Sequence, residues 1–122
     1  MALSDADLFV VDDDALIRNS LQQLFKSVGL KADTFSTADA FLKSNLPTKH
    51  VCLILDIQMP GLSGLELQNE IAKRGVSIPI IFITGHATES MKNRAIKAGA
   101  VGFLYKPFDD QELLDAVHRA IE

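Results

Sequence analysis

A chain of 122 residues, 48% of them hydrophobic, is long enough for one domain with a real core and too short for two. Its formal net charge of −4 removes any global attraction to nucleic acid or anionic lipid, and no apolar run approaches the roughly 18 residues of a membrane helix. The opening residues are acidic and polar, unlike a secretory signal, and a single cysteine, Cys52, leaves no internal disulfide, so a soluble cytoplasmic domain is expected.

Residues 8–11, Leu-Phe-Val-Val, read as a strand buried on both faces, because a continuous apolar run has no solvated side. Asp14 is placed to cap a helix whose apolar positions Ile17, Leu21, Leu24, Phe25 and Val28 share one face, with Gly29 as its stop. Residues 31–35 form a shorter, more polar strand that suits a sheet edge. Ser36 and Asp39 have capping-box spacing for a short helix through Phe41 and Leu42, and residues 44–48 read as loop. The third strand, 51–55, is apolar throughout and ends on Asp56, and it buries Cys52 as a small core residue. Pro60 and Gly61 turn the chain, and Ser63 with Glu66 opens a helix through Leu67 and Ile71 that ends near Gly75.

A fourth strand occupies 78–85, with Pro79 tolerable only near its start. The helix that follows, from about Glu89, carries Met91, Ala95 and Ala98 on one face and stops at Gly99. The fifth strand, 101–105, ends at Lys106 and Pro107. Asp109 and Glu112 then have cap spacing for a last helix whose Leu113, Leu114, Val117 and Ile121 face inward. Five alternations of strand and helix predict one α/β domain over residues 1–122: a doubly wound, five-stranded parallel sheet of flavodoxin-like order 2-1-3-4-5 with five helices.

In that sheet Asp12, Asp13, Asp56, Thr84 and Lys106 all fall at carboxyl ends of strands, the rim where open α/β sheets keep their ligand sites. Three carboxylates together repel by roughly 1–4 kcal/mol per pair, which a cation or raised pKa values would make tolerable. Oxygen-only ligands on an open site suit Mg²⁺, and Lys106 adds a second positive charge, so the set describes a phosphoryl site. Singly, each residue has a plainer explanation. Asp12 to Asp14 could be a solvated helix N-terminus, Thr84 a strand-end hydroxyl bonding local backbone, Lys106 a surface lysine and Phe103 a core aromatic. The convergence of all of them is what carries the signal.

Val11-Asp12-Asp13-Asp14, Asp56-Ile57-Gln58-Met59-Pro60-Gly61 followed by Gly64, Thr84-Gly85 and Lys106-Pro107-Phe108 closely resemble receiver domains of bacterial two-component response regulators, over essentially the whole chain. The resemblance implies a CheY-like fold and a phosphoacceptor switch rather than an enzyme, although such a domain assists its own phosphorylation and dephosphorylation. It implies that Asp56 attacks the phosphohistidine of a sensor histidine kinase to form an acyl phosphate. It further implies that Asp13 ligates Mg²⁺ directly, that Asp12 acts mainly through bound water, and that Gln58 offers its backbone carbonyl. Lys106 would contact a phosphoryl oxygen and precede a cis peptide at Pro107. The Thr84 hydroxyl would move to the phosphoryl group, and Phe103 would rotate into the space it leaves, altering the face of helix four, strand five and helix five. Gln58 and His86 stand where family members control water access and so set the lifetime of the acyl phosphate.

Ile83-Thr84-Gly85-His86 and Ala98-Gly99-Ala100-Val101-Gly102-Phe103 resemble most the receivers of FixJ-type transcription regulators, which carry a separate DNA-binding domain. DNA contact is therefore expected only through an output domain that this sequence does not contain, with a homodimer through helix four and strand five on phosphorylation. The alternative is a stand-alone receiver acting as a phosphorelay shuttle or protein-binding switch. A silent interaction module would lack one of Asp56, Lys106 or the acids, and an aspartyl-phosphate phosphatase would want an acid where Gln58 stands. A flavin or nucleotide binder would not place three acids after its first strand. His86 lacks the companions of a metal ligand, and His50 and His118 read as loop and surface residues.

Overall fold

The computed structural model describes residues 6–44 and 51–121. Ten elements alternate: β1 (Leu8–Val11), α1 (Ala15–Ser27), β2 (Ala32–Phe35), α2 (Ala38–Lys43), β3 (Cys52–Asp56), α3 (Gly64–Lys73), β4 (Ile80–Thr84), α4 (Glu89–Lys97), β5 (Gly102–Tyr105) and α5 (Asp110–Ile121). The five strands form one parallel sheet in the order β2-β1-β3-β4-β5, as the alternation predicts. The expected loop at 44–48 and His50 lie, apart from Ser44, outside the described residues.

Successive strand residues point to opposite faces, so the apolar runs feed two cores. Phe9, Val11, Leu53, Leu55 and Phe82 pack beneath α2, α3 and α4 with Phe41, Leu67 and Ile71. Leu8, Val10, Cys52, Ile54, Ile81 and Ile83 pack beneath α1 and α5 with Leu21, Phe25, Leu113 and Val117. Leu53, Ile54 and Leu55 of β3 are fully buried, each contributing about 1.5–3 kcal/mol relative to exposure. Cys52 is sealed in the second core, and burial pushes its thiol up to about 12, far from a reactive thiolate.

Local chemistry accounts for most element ends. The Asp14 carboxylate accepts from the Leu16 N–H, and Ser63 and Glu66 form the complete reciprocal capping box. The helix α1 ends where Gly29 takes a φ of 81° and the Leu30 N–H closes onto the Phe25 carbonyl. The α5 start is held by Asp109, whose carboxylate accepts from the Gln111 N–H.

Four expectations shift. The α2 cap is Thr37, which accepts from the Ala40 N–H, rather than Ser36: two adjacent hydroxyls leave periodicity indifferent to a one-residue slip. Val28 and Ala98 are exposed because each sits at the C-cap, where the helical face has already turned away. Val101 is 57% exposed and precedes β5, which begins at Gly102. Ala95 is the one buried residue that α4 contributes, and the buried Gln68 amide of α3 donates to its carbonyl at 3.1 Å. Among the described residues no helix is long and apolar enough to cross a membrane.

Candidate functional site

The order of the sheet reverses its direction of growth between β1 and β3, so the helices after these two strands leave on opposite faces and a crevice opens at their carboxyl ends. The β1–β3 register pairs Val11 with Leu55, which sets Asp12 and Asp56 side by side at that rim. One carboxylate oxygen from each of Asp12, Asp13 and Asp56 lies within 4.8 Å of the others. Asp13 is exposed, Asp56 is 5% exposed and Asp12 is fully buried.

A buried carboxylate must find partners. Asp12 Oδ1 accepts from the Asp14 N–H at 2.9 Å, and Oδ2 accepts from Lys106 Nζ at 2.8 Å. The Lys106 ammonium also stands 3.5 Å from Asp56 Oδ2, so one cation bridges two acids. Its main chain is fixed as well: the Lys106 N–H donates to the Thr84 carbonyl at 2.7 Å, and the Lys106–Pro107 peptide is cis. Burial works against the ammonium, but the hydrogen bond and charge of Asp12, then those of Asp56, outweigh it and hold Lys106 above the ordinary lysine range.

Asp56 is pushed up to about 6, first by burial and then by the negative charge of Asp12, with Asp13 adding to the rise. Lys106 and the Gln58 N–H, which donates to Asp56 Oδ1 at 3.2 Å, oppose the shift without cancelling it. The site is thus a charged group held in a field that disfavours its charge. A divalent cation would reverse that field. The donor set consists of oxygens only, arranged on one side of an open crevice, and fits a hard cation such as Mg²⁺ that retains part of its water.

The remaining sequence-predicted residues take varied positions. Thr84 is buried at the end of β4, where its hydroxyl donates to the His86 carbonyl at 2.8 Å and accepts from the His86 N–H at 3.1 Å. The hydroxyl is therefore engaged within its own turn. Gln58 and His86 are exposed at the mouth of the crevice loops, and among their described contacts only their main chains bond to Asp56 and Thr84. Phe103 is half-buried on β5, 6.2 Å from the Phe82 ring and 5.4 Å from the Tyr105 ring.

Two residues here escaped the sequence reading, and a third, Gly64, reads there as part of the motif after Asp56 but not for its packing. Lys92 of α4 sets its ammonium 5.7 Å from the Phe103 ring and 5.9 Å from the Tyr105 ring, a cation–π arrangement no local pattern announces. Arg18 of α1 donates to the Asp12 main-chain carbonyl at 2.6 Å. Gly64 follows the capping serine so closely under β3 that a Cβ there would lie within contact distance of the Asp56 carbonyl oxygen and 2.9 Å from Ile57 Cα. Of the three only Gly64 left a signal, as the glycine that closes the motif after Asp56, and that spacing does not report the close approach.

The family model described as response regulator receiver domain matches residues 8–118, and the chain belongs to that family, whose members are signalling switches of two-component systems rather than classical enzymes. Among its relatives, nodulation protein W of Bradyrhizobium diazoefficiens is 54% identical over 99% of this chain and 53% of its own length. The transcriptional regulatory protein FixJ of Azorhizobium caulinodans is 41% identical over 92% of this chain and 53% of its own. The crystal structure of FixJ-N superposes with a TM-score of 0.87 at 35% identity, covering 98% of this chain and 95% of that one. The chain spans about half the length of these curated relatives.

Proposed function

We propose that Asp56 accepts a phosphoryl group from the phosphohistidine of a sensor histidine kinase. A carboxylate oxygen of Asp56 attacks phosphorus, the P–N bond breaks, and the electron pair leaves with the imidazole of the donor. Supporting this is one observation above all: Asp56 lies at the switch point of the sheet, with two further acids that follow β1 and a lysine that follows β5 converging on it. Asp13, Asp56 and the Gln58 carbonyl would hold Mg²⁺, which would supply charge neutralisation for the incoming group. Both Asp12 oxygens already accept from protein donors, which supports a role for Asp12 through bound water. Lys106 stabilises a phosphoryl oxygen by exchanging part of its bond to Asp56 for one to the phosphate.

The signal then travels as a packing change. Thr84 gives up its bond to the His86 carbonyl to reach the phosphoryl group, and Phe103 moves into the vacated volume, altering the α4–β5–α5 face. Ile96, Val101 and Tyr105 leave large apolar surface exposed on that side, which supports a phosphorylation-dependent homodimer there. Size-exclusion chromatography with and without a phosphoryl mimic reads this directly, and a monomer in both states removes it. The doubled length of the relatives, one of them named a transcriptional regulator, supports control of a DNA-binding output domain in the cytoplasm over action as a stand-alone receiver.

Intact mass after incubation with a small phosphoryl donor and Mg²⁺ tests the central assignment. One added phosphoryl group is expected, absent in Asp56→Asn and absent when Mg²⁺ is chelated before the reaction. Phosphoryl addition to the Asp56→Asn protein at an undiminished rate would overturn the assignment of Asp56. Gln58 and His86 tune the hydrolysis that follows, so acyl-phosphate half-lives are expected to change several-fold in Gln58→Ala and His86→Ala, and unchanged half-lives would remove that role.

A further inference from the structure

Asp12 is held through four polar groups, three of them by β2, by its own turn and by the lysine that follows β5. Its N–H donates to the Phe35 carbonyl at 3.1 Å, Oδ1 accepts from Asp14, and Oδ2 accepts from Lys106. The fourth group is the main-chain carbonyl, and it accepts from Arg18 Nη1 at 2.6 Å. A guanidinium donor makes this a charge-assisted bond, stronger than one between neutral groups. Arg18 belongs to the first turns of α1, where its N–H donates to the Asp14 carbonyl at 3.1 Å. Asp14 in turn caps the helix. Backbone, cap and guanidinium thus close a ring around residues 12–14, the segment that carries Asp13. Lys106 holds the far side of Asp12 by its carboxylate, so among the described residues Arg18 is the charged side chain that holds it by the backbone.

We propose that Arg18 is a positioning residue for the divalent cation, fixing the direction of Asp12 and Asp13 through the Asp12 carbonyl rather than touching the ion or the phosphoryl group. This rests on the phosphoacceptor reading above. A guanidinium beside an acidic cation site has two opposed effects. As a charge, it repels the divalent ion and weakens its binding. As a clamp, it preorganises the acids and strengthens binding, as partners behind metal ligands do when their loss costs 10-fold or more in affinity. The bond to a carbonyl favours the clamp as the larger effect, because a carbonyl so engaged fixes the peptide that joins the two acids.

The test measures Mg²⁺ binding by isothermal titration calorimetry, with phosphoryl uptake by intact mass as a second readout, in wild type, Arg18→Ala and Arg18→Lys. Arg18→Ala is expected to weaken Mg²⁺ binding roughly tenfold. Uptake at saturating Mg²⁺ should return close to the wild-type rate, since no reacting group has been removed. Arg18→Lys keeps a cationic donor of similar reach but not the planar fork, and is expected to recover part of the loss. Tighter or unchanged Mg²⁺ binding in Arg18→Ala overturns the proposal, because the field effect then dominates. Should Arg18→Ala fail to fold, Arg18→Met takes its place on the same criteria: weaker Mg²⁺ binding supports the clamp, and unchanged or tighter binding overturns it. Absence of Mg²⁺ binding or phosphoryl uptake in the wild-type protein would instead remove the underlying reading.

Discussion

Gly64→Ala is expected to destabilise the protein by about 2–3 kcal/mol, although alanine is the better helix former by about 1 kcal/mol. Gly64 opens α3 and lies directly under the end of β3. The new methyl would meet the Asp56 carbonyl oxygen and the Ile57 backbone, and its own N–H is tied to the Ile57 carbonyl at 2.9 Å. These obstacles are main-chain atoms of a buried strand end, so no side-chain rotation relieves them. Relief requires the peptide after Asp56 to move, and that peptide aims the carboxylate. The variant should therefore lose Mg²⁺ affinity as well as stability. Gly85→Ala is the control, because a Cβ there meets nothing within 4 Å and its φ is ordinary. Urea titrations of both, with Mg²⁺ binding measured alongside, check this. A Gly64→Ala protein as stable as Gly85→Ala would show that the close approach relaxes freely.

Lys106→Met is expected to cost about 3–5 kcal/mol near neutral pH without Mg²⁺, the usual penalty for removing one partner of a buried pair. The methionine keeps most of the side-chain volume, so the loss reports charge rather than a cavity. Asp12 is fully buried and would retain only the Asp14 N–H on its carboxylate. The pH dependence follows from Asp56. In the native protein it titrates at about 6, against an ordinary value of 3.8. Between these values the folded state binds more protons than the unfolded one, so the contribution of this group is fully present below about 4 and is lost as pH rises through about 6. Deleting Lys106 removes a charge that lowers Asp56, so the decline should deepen and extend to higher pH. Mg²⁺ should recover stability in both proteins at neutral pH, because it supplies the missing positive charge. Urea midpoints at several pH values between about 4 and 8, with and without Mg²⁺, measure this across the titration of Asp56. The idea is falsified if the stability gap between the two proteins stays constant across that range.

Much of the site was legible because strand ends are legible. The apolar run before Asp56 has no polar face, Pro60 and Gly61 must turn the chain, and Ser63 with Glu66 must start a helix, so a carboxylate at a strand terminus follows from neighbours alone. The same logic placed Asp12, Thr84 and Lys106 at their strand ends. What each atom contacts was another matter. Lys106 and Asp12 lie 94 positions apart, and nothing local distinguishes this lysine from a solvated one until the 2.8 Å bond is seen. Thr84 was expected at the rim, but that its hydroxyl is engaged with His86 depends on the path of the following loop.

Residues a few positions apart dictate the alternation of strand and helix, the double-sided burial of β1 and β3, and the motif that places an acid at the end of β3. Those follow from side-chain period and turn chemistry over a few residues, where each choice is stabilised by its immediate neighbours. Packing between distant segments settles that Thr37 and not Ser36 begins α2, that Arg18 clasps the Asp12 carbonyl, that Lys92 faces Phe103, and that Gly64 admits no side chain. Each of these depends on how closely two segments approach in space, and a one-residue pattern carries no record of such a distance. Asp56 joins both halves: its place on the strand is local, while the pKa of about 6 that makes it chemically unusual comes from burial and from charges on other strands.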